Sequence, residues 1–157
     1  MMPLESLDAD RLRSGITWFN PHAGPLFERA LWRGRLRRQM AKLLRRSWRL
    51  LHFGDAVSPD RISSAPPTTP QIVELDAIRG SINRCEEFDS RFYPVTDRVQ
   101  DRWVRIASMT LQNTALPPVD LIRVGSIYFV VDGHHRISVS RMLDYATVDA
   151  VITAAYD

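Results

Sequence analysis

IYFVVDGHHRISVSRMLD, residues 127–144, reads as strand, tight turn and helix. Ile127 to Val131 is an unbroken apolar run rich in β-branched and aromatic side chains, and Asp132-Gly133 is turn chemistry, so a buried strand should end there. The chain then enters a helix whose Ile137 and Leu143 share a buried face, with Arg136 on another. A helix that starts at this turn leaves the backbone N–H groups of Gly133, His134, His135 and Arg136 without intrahelical partners. The helix dipole adds partial positive charge at the same end, and the guanidinium of Arg136 adds a full one. A phosphate group suits such a place. The plainer reading is that Asp132 caps the helix and the two histidines bond locally.

The remaining sequence bounds the problem. A chain of 157 residues can bury one core and carry an appendage. Its single cysteine, Cys85, excludes an internal disulfide framework and a cysteine-rich zinc site, and suits a cytoplasmic protein. There is no transmembrane run of about twenty apolar residues, and Glu5, Asp8 and Asp10 are unlike a secretory signal. Net charge is +3, but residues 25–52 hold nine Lys/Arg against one acid, Glu28. That segment therefore carries +8 and the remainder −5, and a basic arm on an acidic body can dock on that body or meet a polyanion.

In chain order, residues 1–24 allow at most one short helix before the breakers Asn20-Pro21 and Gly24-Pro25. A long helix should run from Pro25 to about Leu51, with a kink or break near Gly34, where the apolar spacing slips. Its apolar stripe can pack on the C-terminal domain. Alternatively, its arginines from Arg29 to Arg49, eight of the nine cations, can bind DNA or an anionic surface, with Trp32 and Trp48 as anchors. Residues 55–70 are rich in Pro, Ser and Thr and read as a linker between a 1–54 segment and a 71–157 domain.

Within that domain the spacing predicts a first strand over 72–78 and a turn with exposed N–H donors at Gly80 and Ser81, flanked by Arg79 and Arg84. An acidic loop carrying Glu86, Glu87 and Asp89 follows, anchored by Phe88, Phe92 and Tyr93. Further expectations are a helix over 99–114, strands over 119–124 and 127–131 joined by a Gly125-Ser126 hairpin, the 133–144 helix, and a strand over 147–152. The fold class is α+β: a small mixed sheet of about four strands with flanking helices, preceded by a basic N-terminal helix.

This order, with Leu116-Pro117-Pro118 before the hairpin and Gly133-His134-His135-Arg136 after it, resembles the ParB/sulfiredoxin superfamily over about 71–153. Asn83-Arg84 with Phe88-Asp89 resembles the loop that ParB domains place after their first strand. The resemblance implies a nucleoside di- or triphosphate held by Gly133, His134, His135 and Arg136, with Arg84 and Ser81 nearby and magnesium bridging the phosphates. It also implies nucleotide hydrolysis or phosphoryl transfer to a small molecule, for which Asp132, His134, Glu86 and Asp89 are the candidate bases or ligands, and it leaves room for a homo-oligomer. His134 stands where sulfiredoxin has its reactive cysteine, so sulfinic-acid reduction is not expected. The chain stops at Asp157 with no helix-turn-helix, so centromere-type DNA clamping is not expected either. A two-histidine metal site is set aside, because adjacent residues on a helix point apart.

Overall fold

Two hairpin-linked strands, β5 (Val119–Val124) and β6 (Ile127–Asp132), form the centre of the sheet. They pair antiparallel with Val124 opposite Ile127, and Gly125 makes the turn at φ +58°, as the hairpin reading requires. The computed structural model describes residues 19–58, 63–64, 66 and 68–156, so the short helix expected within 1–18 lies outside the described residues.

Seven strands, against the four expected, are found among the described residues: β1 (Leu51–His52), β2 (Ser63–Ser64), β3 (Gln71–Glu74), β4 (Ile78–Ser81), β5, β6 and β7 (Thr147–Tyr156). The order is β1-β4-β6-β5-β7-β2, with β3 also on β7. The extra strands have two causes. The apolar run 72–78 is interrupted by a 3₁₀ turn, Leu75–Ala77, that buries Leu75, so β3 joins β7 antiparallel while β4 joins β6 parallel across the sheet. β1 and β2 are two-residue pairings set by distant partners, below the length at which a period can be read.

Among the described residues four helices flank the sheet: α1 (Ala23–Leu43), the single turn α2 (Phe53–Ala56), α3 (Gln100–Leu111) and α4 (His134–Met142). Helix α3 follows a 3₁₀ turn, Asp97–Val99, whose N–H at Arg98 is accepted by the Thr96 hydroxyl. Phe27 of α1 meets Trp103 of α3 at 5.4 Å between ring centroids, and the Trp103 indole donates to the Ser138 hydroxyl of α4 at 2.8 Å. The first half of α1, α3, α4 and the sheet thus share one core. No helix among the described residues is long and apolar enough to cross a membrane.

The break allowed for near Gly34 is absent, and α1 is one continuous helix through it. Gly34 is buried, and a Cβ there would stand 2.1 Å from the Pro94 carbonyl oxygen, so the glycine serves a close approach of two backbones. The slip in apolar spacing has another origin: up to Leu31 the apolar residues face the core, whereas Leu36, Met40 and Leu43 face solvent. Gly34→Ala is expected to destabilise the chain by about 2 kcal/mol, because a clash with a backbone oxygen lies at the upper end of the overpacking range of about 1–3 kcal/mol and alanine regains only about 1 kcal/mol of helix propensity. The urea midpoint checks this, and an unchanged midpoint would mean that the Pro94 loop yields freely.

Candidate functional site

Gly133 ends β6 and opens α4 at φ +109°, and a Cβ there would stand 2.5 Å from the Val119 side chain. Conformation and space both demand glycine. Asp132 does not cap the helix: Gly133 is the N-cap residue, with no side-chain cap bond, and the first bond closed across the turn runs from Ile137 N–H to Gly133 C=O. The N–H groups of His134, His135 and Arg136 thus stand at an end that no side chain satisfies, as an anion site needs.

A cavity of about 30 Å³ lies against this helix end, lined by Arg84, Arg102, Ile106, Asp132 and residues 133–136. Three guanidinium groups against one carboxylate make it electropositive. Arg84 also lines a second, larger cleft of about 1250 Å³, walled by Arg49 to His52, Asp55, Asn83, Cys85 to Glu87, Thr96 and Arg98. A small basic notch thus lies beside a large open cleft, and Arg84 lines both.

The six residues expected to bind the phosphates divide into distinct roles. Gly133, His134, His135 and Arg136 line the notch, as does Arg84, whose Nη1 also pairs with Glu87 at 2.9 Å. The Arg136 guanidinium is largely committed elsewhere: Nη1 donates to the carbonyls of Pro117 and Pro118, the latter at 2.8 Å, and Nη2 to Asp132 at 2.9 Å. It lends charge to the notch while clamping the Leu-Pro-Pro turn onto α4. Gly80 and Ser81 are not an exposed turn, because both lie buried in β4, where Gly80 has the Phe129 ring and the Leu51 carbonyl against it.

Buried Ser81 supports His134 from beneath. Its Oγ accepts the N–H groups of Asn83 at 3.2 Å and Arg84 at 3.1 Å, which occupies its acceptor capacity. Its own hydrogen therefore points to His134 Nε2, 2.6 Å away, and fixes that ring neutral with the proton on Nδ1. Electrostatics agree. Burial pushes both histidines down to about 4, assisted by Arg84 at His134 and by Arg102 at His135. Phe88 packs on both rings, stacked on His134 at 6.2 Å and edge-on to His135 at 5.6 Å.

Among the acidic candidates only Asp132 lines the notch, with its side chain 60% exposed and paired with Arg136. Asp89 is buried and belongs to the loop. It accepts from the Arg91 and Tyr93 N–H groups at 2.9 Å each and from Arg37 Nε at 2.6 Å, and burial pushes its carboxyl up against the pull of Arg37. It lines neither of the two cavities. Glu86 stands exposed at the large cleft, 3.6 Å from Arg49. The anchors Phe88 and Phe92 are fully buried, Phe92 at φ +64° inside the turn that Asp89 holds.

Arg102 was absent from the sequence-based set, yet it lines the notch from α3 and has no side-chain partner among the described residues. Arg98, four residues earlier, faces the large cleft. Arg98 belongs to the 3₁₀ turn before α3, so the four-residue spacing of the two arginines was the available signal, without a shared helix to point to it. His52, at the end of the stretch read as a basic helical segment, and Asp55, the first residue of the stretch read as a linker, also line the large cleft.

No family model matches this chain, and no curated protein matches it. Among solved structures, the crystal structure of sulfiredoxin from Arabidopsis thaliana is similar at 21% identity and a TM-score of 0.41, covering 54% of this chain and 83% of that one. At that level of likeness the chemistry of the site is left to its own residues.

Proposed function

We propose that the chain is a nucleotide-binding protein of the ParB/sulfiredoxin type, with the phosphates of a nucleoside di- or triphosphate at the notch and its sugar and base in the large cleft. One observation carries this reading. Arg84 and Arg102 converge with the uncapped first turn of α4 on a single small cavity that shares Arg84 with a much larger one. A magnesium ion would arrive with the nucleotide and supply charge neutralisation, and Asp132, the carboxylate at the notch, is the one residue there, among the described residues, that would hold it, on release from Arg136.

Binding is better supported than turnover. Asp89 is spent on the loop, and the Nε2 lone pair of His134 accepts from the Ser81 hydroxyl, so neither is free to take a proton from a nucleophile. If phosphoryl chemistry does occur, these arginines would act by neutralising charge.

Calorimetric titration with ATP, ADP, CTP and GTP, with and without magnesium, tests the proposal. Arg102→Ala and Arg84→Ala are each expected to weaken binding roughly ten- to hundredfold, the range for one lost charge-assisted hydrogen bond. Arg102 is exposed and makes no side-chain bond to the rest of the fold among the described residues, so its variant should melt with the wild type. Unchanged affinity in both variants, or no nucleotide bound by the wild type, would remove the phosphate assignment. Arg136→Ala is the poorer probe because it also releases the Pro117-Pro118 turn.

A further inference from the structure

We propose that the outward face of α1 is a docking surface for an anionic lipid bilayer. Trp32, Leu36, Met40 and Leu43 follow one another at steps of four, four and three residues and so form one stripe along the helix. They are 65%, 44%, 48% and 76% exposed, on the side opposite the buried Phe27, Ala30 and Gly34. Single exposed apolar residues are ordinary on a protein surface, but a continuous stripe three turns long marks a contact face.

The cations around the stripe fall into two groups. Some are used by the fold: Arg37 pairs with Asp89, Arg33 lies over the Tyr93 ring, and Arg38 lies over Trp48. Arg29, Arg35, Lys42, Arg45 and Arg46 are exposed and have no partner among the described residues, so nothing in the fold requires their charge. At 100° per residue, Arg35 and Lys42 lie on one shoulder of the stripe, while Arg33 and Arg37 lie on the other. Glu28 is the single acid on the helix.

Apolar centre and basic shoulders match a lipid headgroup layer. Trp32 and the aliphatic side chains enter the acyl boundary, while Arg35 and Lys42, on the shoulder whose cations the fold does not use, reach the phosphates. A nucleic acid would want its cations at the centre of the face, where this helix places Leu36 and its neighbours. A second copy of the chain would bring the same cations against each other.

The test uses the full chain without nucleotide, so its outcome is independent of the phosphate site. Co-sedimentation with phosphatidylcholine vesicles is compared with vesicles that also contain phosphatidylserine. Partition onto the anionic vesicles is expected to be about tenfold stronger or more and to fall with added salt. The double variant Trp32→Ser/Leu36→Ser should lose most of that binding while keeping its melting temperature, because both side chains are solvent-exposed. Equal partition onto both vesicles, or undiminished binding by the double variant, would overturn the proposal. So would sedimentation showing a dimer that the double variant dissolves, or duplex DNA that binds both forms alike and displaces the vesicles.

Discussion

Trp103→Ala is expected to destabilise the chain by about 3–5 kcal/mol, the usual cost of removing a fully buried large aromatic side chain. Trp103 is 0% exposed and joins three elements at once: it belongs to α3, packs on Phe27 of α1, and bonds Ser138 of α4. Truncation leaves a cavity at that junction and takes the indole donor from the buried Ser138 hydroxyl. Trp103→Phe should retain most of the packing and lose about 1 kcal/mol for the hydrogen bond. For a chain of this size the alanine variant should melt roughly 6–20 °C lower. A drop of only a degree or two would mean that α1 and α3 repack around the vacancy and that the shared core is looser than its contacts imply.

Acidification from pH 6.5 towards 4 should also weaken the fold, and the sign follows from the two histidines. In the unfolded chain they take up protons below about 6.5, whereas in the folded chain burial delays this to about 4. Their contribution to stability is therefore complete above 6.5 and is lost as the pH falls through that window. A displacement of this size at His134 corresponds to about 3 kcal/mol, and His135, nearer to solvent, adds less. Asp89 acts in the opposite sense, since its raised carboxyl takes up a proton more readily in the folded state. Thermal midpoints measured between pH 7 and 4.5 should fall for the wild type and fall less for His134→Asn. A midpoint that stays flat across the window would sink the assignment of neutral buried histidines.

The strand–turn–helix of residues 127–144, the hairpin and the α3 helix were legible because each rests on local chemistry: an apolar run, a Gly-Ser turn, and spacing at three and four. The split of the 72–78 run was not, since its cause is the competition of two distant partners, β7 and β6, for the two halves of one segment. Gly34 misled for a similar reason. Read locally it weakens a helix, and only the Pro94 loop, sixty residues on, shows what it is for. At the site, the glycine and helix end at 133–136 were visible, while the burial of Ser81, the clamping of Arg136 and the arrival of Arg102 depend on packing between elements.

The two short pairings at the margins of the sheet have a consequence for how the protein behaves in a crowd. One edge ends in β1, two residues long, and the other is divided between the two residues of β2 and the four of β3, with Pro66, Pro67 and Pro70 in the sequence between them. An edge strand recruits foreign strands in proportion to the length of unpaired backbone it displays, and proline displays no N–H at all. Among the described residues these short rims, with prolines close by, limit the backbone on which a foreign strand could extend the sheet.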